Sequence, residues 1–136
     1  MKIFADLHTH TVASGHAFST VKEMAIAANQ KGLEILGISD HAPKMEGAGN
    51  KSYFLCMSFI PDYLEGTRML RGVEANIVDT KGSFDLPEKI LGDLDYVIAS
   101  MHDDVTPHLS VEENTNAYIK AMQKDYVKII GHPENP

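Results

Sequence analysis

Leu33-Glu34-Ile35-Leu36-Gly37-Ile38-Ser39-Asp40-His41 is the stretch that decides the fold. Its apolar residues fall on both parities, as expected of a parallel strand covered on both faces, and the run ends in a carboxylate and an imidazole. Just upstream, Thr20 and Glu23 have capping-box spacing, Met24, Ala25 and Ala28 make a helical stripe, and Gly32 stands where a helix C-terminal glycine belongs. These signals predict a helix over 21–31. Before that helix, Ile3 to Leu7 is a short apolar run that reads as a first buried strand. Strand, helix and strand in this order form the repeating unit of a parallel α/β sheet.

The unit recurs downstream. Residues 42–52 shift to Gly, Asn, Lys and Pro, which predicts a long loop on the functional rim. Residues 53–65 mix aromatic and apolar groups around Pro61 and read as an irregular or kinked helix. Arg68 to Ile77 is a third strand and contains Glu74. Asp85, Pro87 and Glu88 mark a helix start, and Leu94 to Ala99 is a fourth strand. Ser110 and Glu113 repeat the capping-box spacing before a helix to about Lys124, and Val127 to Ile130 is a fifth strand. The sequence shows no internal repeat and no low-complexity segment.

Each of the five strands runs into a candidate metal ligand at or just past its C-terminal end: His8 and His10, then His41, Glu74, His102 and His132. In His8-Thr9-His10, residues i and i+2 of an extended chain point to one face, so both imidazoles can reach one ion. Any of these histidines alone reads as a surface or hydrogen-bonded residue. Five consecutive strand ends are different, because parallel strands bring those ends to one rim. Neutral imidazoles suit zinc, manganese or iron, and a carboxylate buried in an apolar strand, as Glu74 is between Val73 and Ile77, needs a partner or a metal. Two ions about 3.5 to 4 Å apart would share a hydroxide and clamp both oxygens of an in-line displacement, the chemistry of phosphoester hydrolysis. Arg71, Lys44 and Lys51 are candidates for gripping a substrate anion, solvation being the better reading for the two lysines. Asp6 and Asp40 either orient imidazoles or serve a cap or turn. His108 follows Pro107 in a loop and reads as a surface residue. The methionines at 24, 57, 69, 101 and 122 read as core filler.

Composition bounds the rest. The chain has 136 residues, 43% of them hydrophobic, enough for one domain over 1–136 with a buried core. Its net charge is −7 and its twelve Lys and Arg are scattered, which argues against a nucleic-acid partner. Bound divalent ions would add positive charge at the site, so acidity elsewhere leaves an anionic substrate open. The single cysteine, Cys56, excludes an intramolecular disulfide and reads as a buried filler suited to a reducing compartment. The N-terminus has no apolar run long enough for a signal peptide or membrane span, which predicts a cytoplasmic protein with no membrane partner. A closed barrel of eight units takes about 250 residues, and here five units precede Pro136. The reading is therefore the N-terminal part of a longer barrel, with pairing of its open edge to a second copy, a homo-oligomer, left open.

The ordered motifs Asp6-Leu7-His8-Thr9-His10-Thr11, Ser14-Gly15-His16-Ala17, Ile38-Ser39-Asp40-His41, Gly72-Val73-Glu74-Ala75-Asn76, Ser100-Met101-His102 and Gly131-His132-Pro133 resemble the PHP (polymerase and histidinol phosphatase) superfamily, most closely its stand-alone bacterial phosphatase-like members. The resemblance implies an α/β fold, a distorted TIM-like (β/α) barrel of seven strands of which these would be the first five. It also implies up to three divalent ions, zinc or manganese with iron as a further candidate, at the C-terminal rim. On that pattern His8 and His10 hold one ion, Glu74 bridges it to a second bound by His102 and His132, and His16 with His41 holds the third. The family's later Asp-x-His, which completes the first and third sites, has no counterpart after His132. The expected function is a metal-dependent phosphoesterase hydrolysing small phosphomonoesters through a metal-activated hydroxide, with Glu74, His102 and Arg71 as catalytic groups and no organic cofactor. An amidohydrolase-type hydrolase and a non-catalytic metal-binding or interaction module are the alternatives.

Overall fold

Five strands lie parallel and side by side in the order β1 (Ala5–Asp6), β2 (Ile35–Ile38), β4 (Thr67–Asn76), β5 (Tyr96–Ser100) and β6 (Val127–Ile130) in a computed structural model that describes residues 3–107 and 109–134. The sheet curls into a half-barrel, the mixed α/β architecture expected of part of a TIM-like barrel. Between the strands run α1 (Val21–Gln30), α2 (Lys51–Leu55), α3 (Glu88–Asp93) and α4 (Val111–Met122). No helix among the described residues is long and apolar enough to cross a membrane.

Both predicted capping boxes are formed. Thr20 and Ser110 accept the backbone N–H of Glu23 and Glu113, and each glutamate reaches back to the N–H of its cap residue. These contacts hold both glutamate carboxyls below their usual range, the backbone hydrogen bond first. Thr20→Ala is expected to cost about 1 kcal/mol of stability in urea denaturation, and Thr20→Ser to restore most of it. An unchanged midpoint in Thr20→Ala would mean that the box contributes nothing.

The predicted irregular helix over 53–65 is in fact three pieces. Asn50 caps α2, which tightens into a 3-10 turn over Cys56–Phe59, and the chain then forms β3 (Tyr63–Leu64), antiparallel to β4. The connection is the two-residue turn Glu65-Gly66 with φ of 50° and 84°, the left-handed pair that matches a hairpin's twist. Glu-Gly is a weaker hairpin signal than Asn-Gly. Cys56, on this turn, is exposed rather than buried. Met57 and Met69 are buried filler as predicted, whereas Met122 stands 58% exposed on the outer face of α4.

Strand parity divides the residues between two faces. Leu36, Ile38, Met69, Val73, Ala75 and Val97 join Ala25, Ala28, Phe54, Met57, Ile90 and Leu91 in the main core under α1 to α3, and Ala99 with Ile77 packs against Ala117 and Ala121 of α4. The other parity carries Gly37, Gly72, Glu74, Tyr96 and Ile98. Here the Tyr96 ring lies over both glycines, and its hydroxyl donates to the Leu7 carbonyl at 2.7 Å, so one side chain ties β5 to the end of β1.

Candidate metal centre

The rim is assembled by short polar contacts at the strand ends. Thr9 donates its N–H to Ser39 Oγ at 3.0 Å and its hydroxyl to the Gly37 carbonyl at 2.6 Å, which pins His8 and His10 beside the end of β2. Thr11 then caps a single 3-10 turn, Val12–Ser14, that reverses the chain and brings round His16. Gly15, at φ 77°, is required there, because a Cβ would sit 2.7 Å from the Gly47 carbonyl oxygen of the loop after β2. His41 forms a single parallel bridge with Glu74 beyond β2. Just past β6, Gly131 passes so close to Ser100 that a Cβ would meet its Oγ at 2.1 Å, and His132 has a φ of 24°. A strained non-glycine residue of this kind persists only where its surroundings enforce it.

Around Glu74, 1% exposed, five imidazoles converge. Its Oε2 lies 3.0 Å from His41 Nδ1, 3.1 Å from His8 Nε2 and 3.3 Å from His10 Nε2, and its Oε1 lies 2.8 Å from His132 Nε2 and 3.4 Å from His102 Nε2. One carboxylate thus presents its two oxygens to two different sets of histidines. Among the described residues, three trios bring ligand atoms within 4.8 Å of one another: His10, His16 and His41; His8, Glu74 and His132; and His41, Glu74 and His102. His16 joins only the first, with its ring 5.2 Å from His10 and 4.9 Å from His41. The resemblance pairs His10 with His8; proximity sets it equally with His16 and His41.

This donor set fits divalent ions. Glu74 Oε2 and His41 Nδ1 are buried without an aligned hydrogen bond although they face each other at 3.0 Å, an arrangement that a cation between them would satisfy. Burial, opposed by Glu74 and reinforced by the neighbouring His10, His102 and His16, pushes the His41 imidazole down to about 4, so it is neutral and able to donate a lone pair at physiological pH. The His8 imidazole is raised, first by its contact with Glu74.

Two hydrogen-bond chains stand behind these imidazoles. Asp85 accepts from Asn76 Nδ2 at 2.7 Å, from the Asn76 N–H at 3.0 Å and from the Lys44 N–H at 2.9 Å, and Asn76 Oδ1 in turn faces His102 Nδ1 at 2.7 Å. Because Asp85 only accepts, the Asn76 amide must turn its NH2 towards it and its oxygen towards the imidazole. Asp40, fully buried, accepts from Thr11, Ser14 and Tyr53, and Ser14 Oγ lies 3.1 Å from His10 Nδ1.

Arg71 is a correction. Its guanidinium donates to the Ile60 carbonyl and pairs with Asp62 and Asp95, tying the start of β3 and the end of α3 to β4. Three residues from Glu74, it has the opposite strand parity and faces the helical layer. The ion pair with Asp62 comes first among the causes that raise its pKa. The side chains of Lys44 and Lys51 are exposed. Asp6 takes the turn role, its carboxylate accepting the His8 N–H at 3.3 Å. Asp40 contacts no imidazole directly. His108 lies outside the described residues. Sequence reasoning passed over Ser14, Tyr53, Asn76 and Asp85. Of these only Ser14 and Asn76 carried a signal, as polar residues inside the quoted motifs.

A profile of the PHP domain matches residues 6–133. The chain is 52% identical, over its full length, to a protein of Caldanaerobacter subterraneus subsp. tengcongensis named probable phosphatase, of which it covers 54%. Similar relatives of the same name occur in Acetivibrio thermocellus, at 48% identity and 56% coverage, and in Photobacterium profundum, at 46% identity and 55% coverage, again over all of this chain. The chain spans about half the length of these curated relatives. With the profile running from the first rim motif to the last, the chain belongs to the PHP domain family.

Proposed function

We propose that these residues form part of a metal-dependent phosphoesterase acting on small phosphomonoesters. The observation that carries the reading is Glu74, whose two oxygens face separate sets of histidines across a buried rim. His102 and His132 beside Oε1 would hold one ion, and His8, His10, His16 and His41 on the Oε2 side would hold the others. Divalent ions bound there, zinc or manganese by donor type, would supply positive charge to phosphate oxygens and lower the pKa of water towards about 7. The chain's own contribution is preorganisation. Glu74 spaces the two sets, the buried and neutral His41 keeps its lone pair available, and Asn76 holds the His102 ring with Nε2 towards Glu74. Glu74 and His102 are the groups closest to the reacting atoms in this reading, and Arg71 has no part in it.

The names of the relatives, probable phosphatase, support the same reaction class. The test is to strip the chain with chelator, add manganese or zinc, count ions per chain and assay p-nitrophenyl phosphate beside amide and lactone substrates. Phosphatase activity that follows metal loading is expected. Activity confined to amides or lactones defeats the reading, and metal binding with no turnover would leave a non-catalytic module. The 136 residues alone are expected to bind fewer ions and to turn over more slowly than a version extended to the relatives' length with an Asp-x-His. Equal stoichiometry and equal rates would sink that expectation.

A further inference from the structure

We infer that Asp40 is a positioning residue of this centre, acting on His10 through the Ser14 hydroxyl to decide which imidazole nitrogen carries the proton. The inference rests on the metal-centre reading for its consequence, although the hydrogen-bond logic stands apart from it.

A serine hydroxyl has one hydrogen to give and two lone pairs to receive. Ser14 Oγ is 2.6 Å from Asp40 Oδ1, an atom that only accepts, so the hydroxyl hydrogen goes there. The His41 N–H donates to Ser14 Oγ at 3.0 Å and takes one lone pair. The remaining lone pair faces His10 Nδ1 at 3.1 Å, so that nitrogen must be the donor. His10 Nε2 is thereby left to present its lone pair on the Glu74 side, 3.3 Å from Oε2. A lone pair facing a carboxylate is repulsive unless a cation lies between them, so the relay prepares a ligand rather than an internal hydrogen bond.

The geometry leaves Asp40 little freedom to do otherwise. Asp40 and Ser14 are both 0% exposed. The remaining donors to the carboxylate are the Thr11 N–H at 2.6 Å, the Thr11 hydroxyl at 2.8 Å and the Tyr53 hydroxyl at 2.5 Å. They fix its orientation from the loop before α1 and from α2. His102 obtains the same protonation pattern from Asn76 and Asp85, a chain that does not include Asp40, and so serves as an internal control.

The experiment uses the whole chain labelled with nitrogen-15 at histidine, with long-range proton–nitrogen correlation spectra of the metal-free protein and zinc titrations. In the unaltered chain His10 Nδ1 should be protonated. In Asp40→Asn the amide oxygen must stay towards the Thr11 N–H and still accepts from Ser14, so the relay should persist, whereas in Asp40→Leu no acceptor remains for the Ser14 hydrogen, which turns to His10. In Asp40→Leu, Nδ1 should lose its proton, His102 should not change, and zinc affinity should fall about 10- to 100-fold. Ser14→Ala should weaken zinc binding comparably. Tyr53→Phe removes a donor to the same carboxylate but leaves the relay, so it should lower thermal stability while keeping zinc affinity within about threefold. The inference is overturned if Asp40→Leu or Ser14→Ala folds with His10 Nδ1 still protonated, or if Tyr53→Phe loses as much affinity as Asp40→Leu. Absence of zinc binding in the unaltered chain would overturn the metal-centre reading instead, and the metal-free spectra would still decide the relay.

Discussion

Glu74→Gln is expected to lower zinc or manganese affinity by more than about 100-fold while leaving the chain folded, a larger loss than removal of an outer hydrogen-bond partner produces. Glutamine matches glutamate in size, and a neutral group at a site 1% exposed needs no compensating charge, so packing should survive. Binding should not survive. The amide is neutral and has only one oxygen, so both sets lose the negative charge and the set that meets the NH2, either His8, His10 and His41 or His102 and His132, also loses its oxygen ligand. Glu74→Asp keeps the charge but shortens the reach between the two sets, and an intermediate loss is expected. Calorimetric titration with metal analysis reads both variants, and circular dichroism reports the fold. Wild-type stoichiometry with affinity within about threefold in Glu74→Gln would remove Glu74 from the centre of the site.

Gly72→Ala is expected to destabilise the fold by about 3 kcal/mol, at the upper end of ordinary overpacking and a large share of the total stability of a small domain. A Cβ at position 72 would lie 2.4, 2.5 and 2.8 Å from three atoms of the Tyr96 ring. That ring is stiff, only 4% exposed, and anchored by its hydroxyl to the Leu7 carbonyl, so it cannot swing away without breaking the tie to β1. Tyr96→Leu should cost stability on its own yet reduce the further cost of Gly72→Ala by more than about 1 kcal/mol, as coupled neighbours do. Urea unfolding of the four proteins in this cycle checks the claim. Additive costs would show that the ring does not occupy the space over Gly72.

The legible parts of the fold were those with local physical causes. Capping boxes at Thr20 and Ser110 form as read, and the apolar runs Leu33 to Ile38, Leu94 to Ala99 and Val127 to Ile130 contain or overlap the strands Ile35–Ile38, Tyr96–Ser100 and Val127–Ile130. The hairpin at Glu65-Gly66 was not read, because its left-handed glutamate is paid for by pairing with β4 rather than by local preference. Arg71 could have been corrected from sequence alone: an offset of three on a strand reverses the face, and period-two logic already excluded it from the side of Glu74. Cys56 could not, since burial depends on what lies across from a residue.

By itself the sequence determined that parallel strand ends would carry His8, His10, His41, Glu74, His102 and His132 to one rim, because alternation along a strand and the parallel order of strands follow from backbone geometry. Only the tertiary structure decided how those groups share Glu74, oxygen by oxygen, and that Asp40 reaches His10 through Ser14 while Asp85 reaches His102 through Asn76. The reason is physical: partners such as Asn76 and Asp85, 9 residues apart, or Glu74 and His132, 58 apart, are chosen by distances of a few tenths of an ångström, which no local pattern encodes.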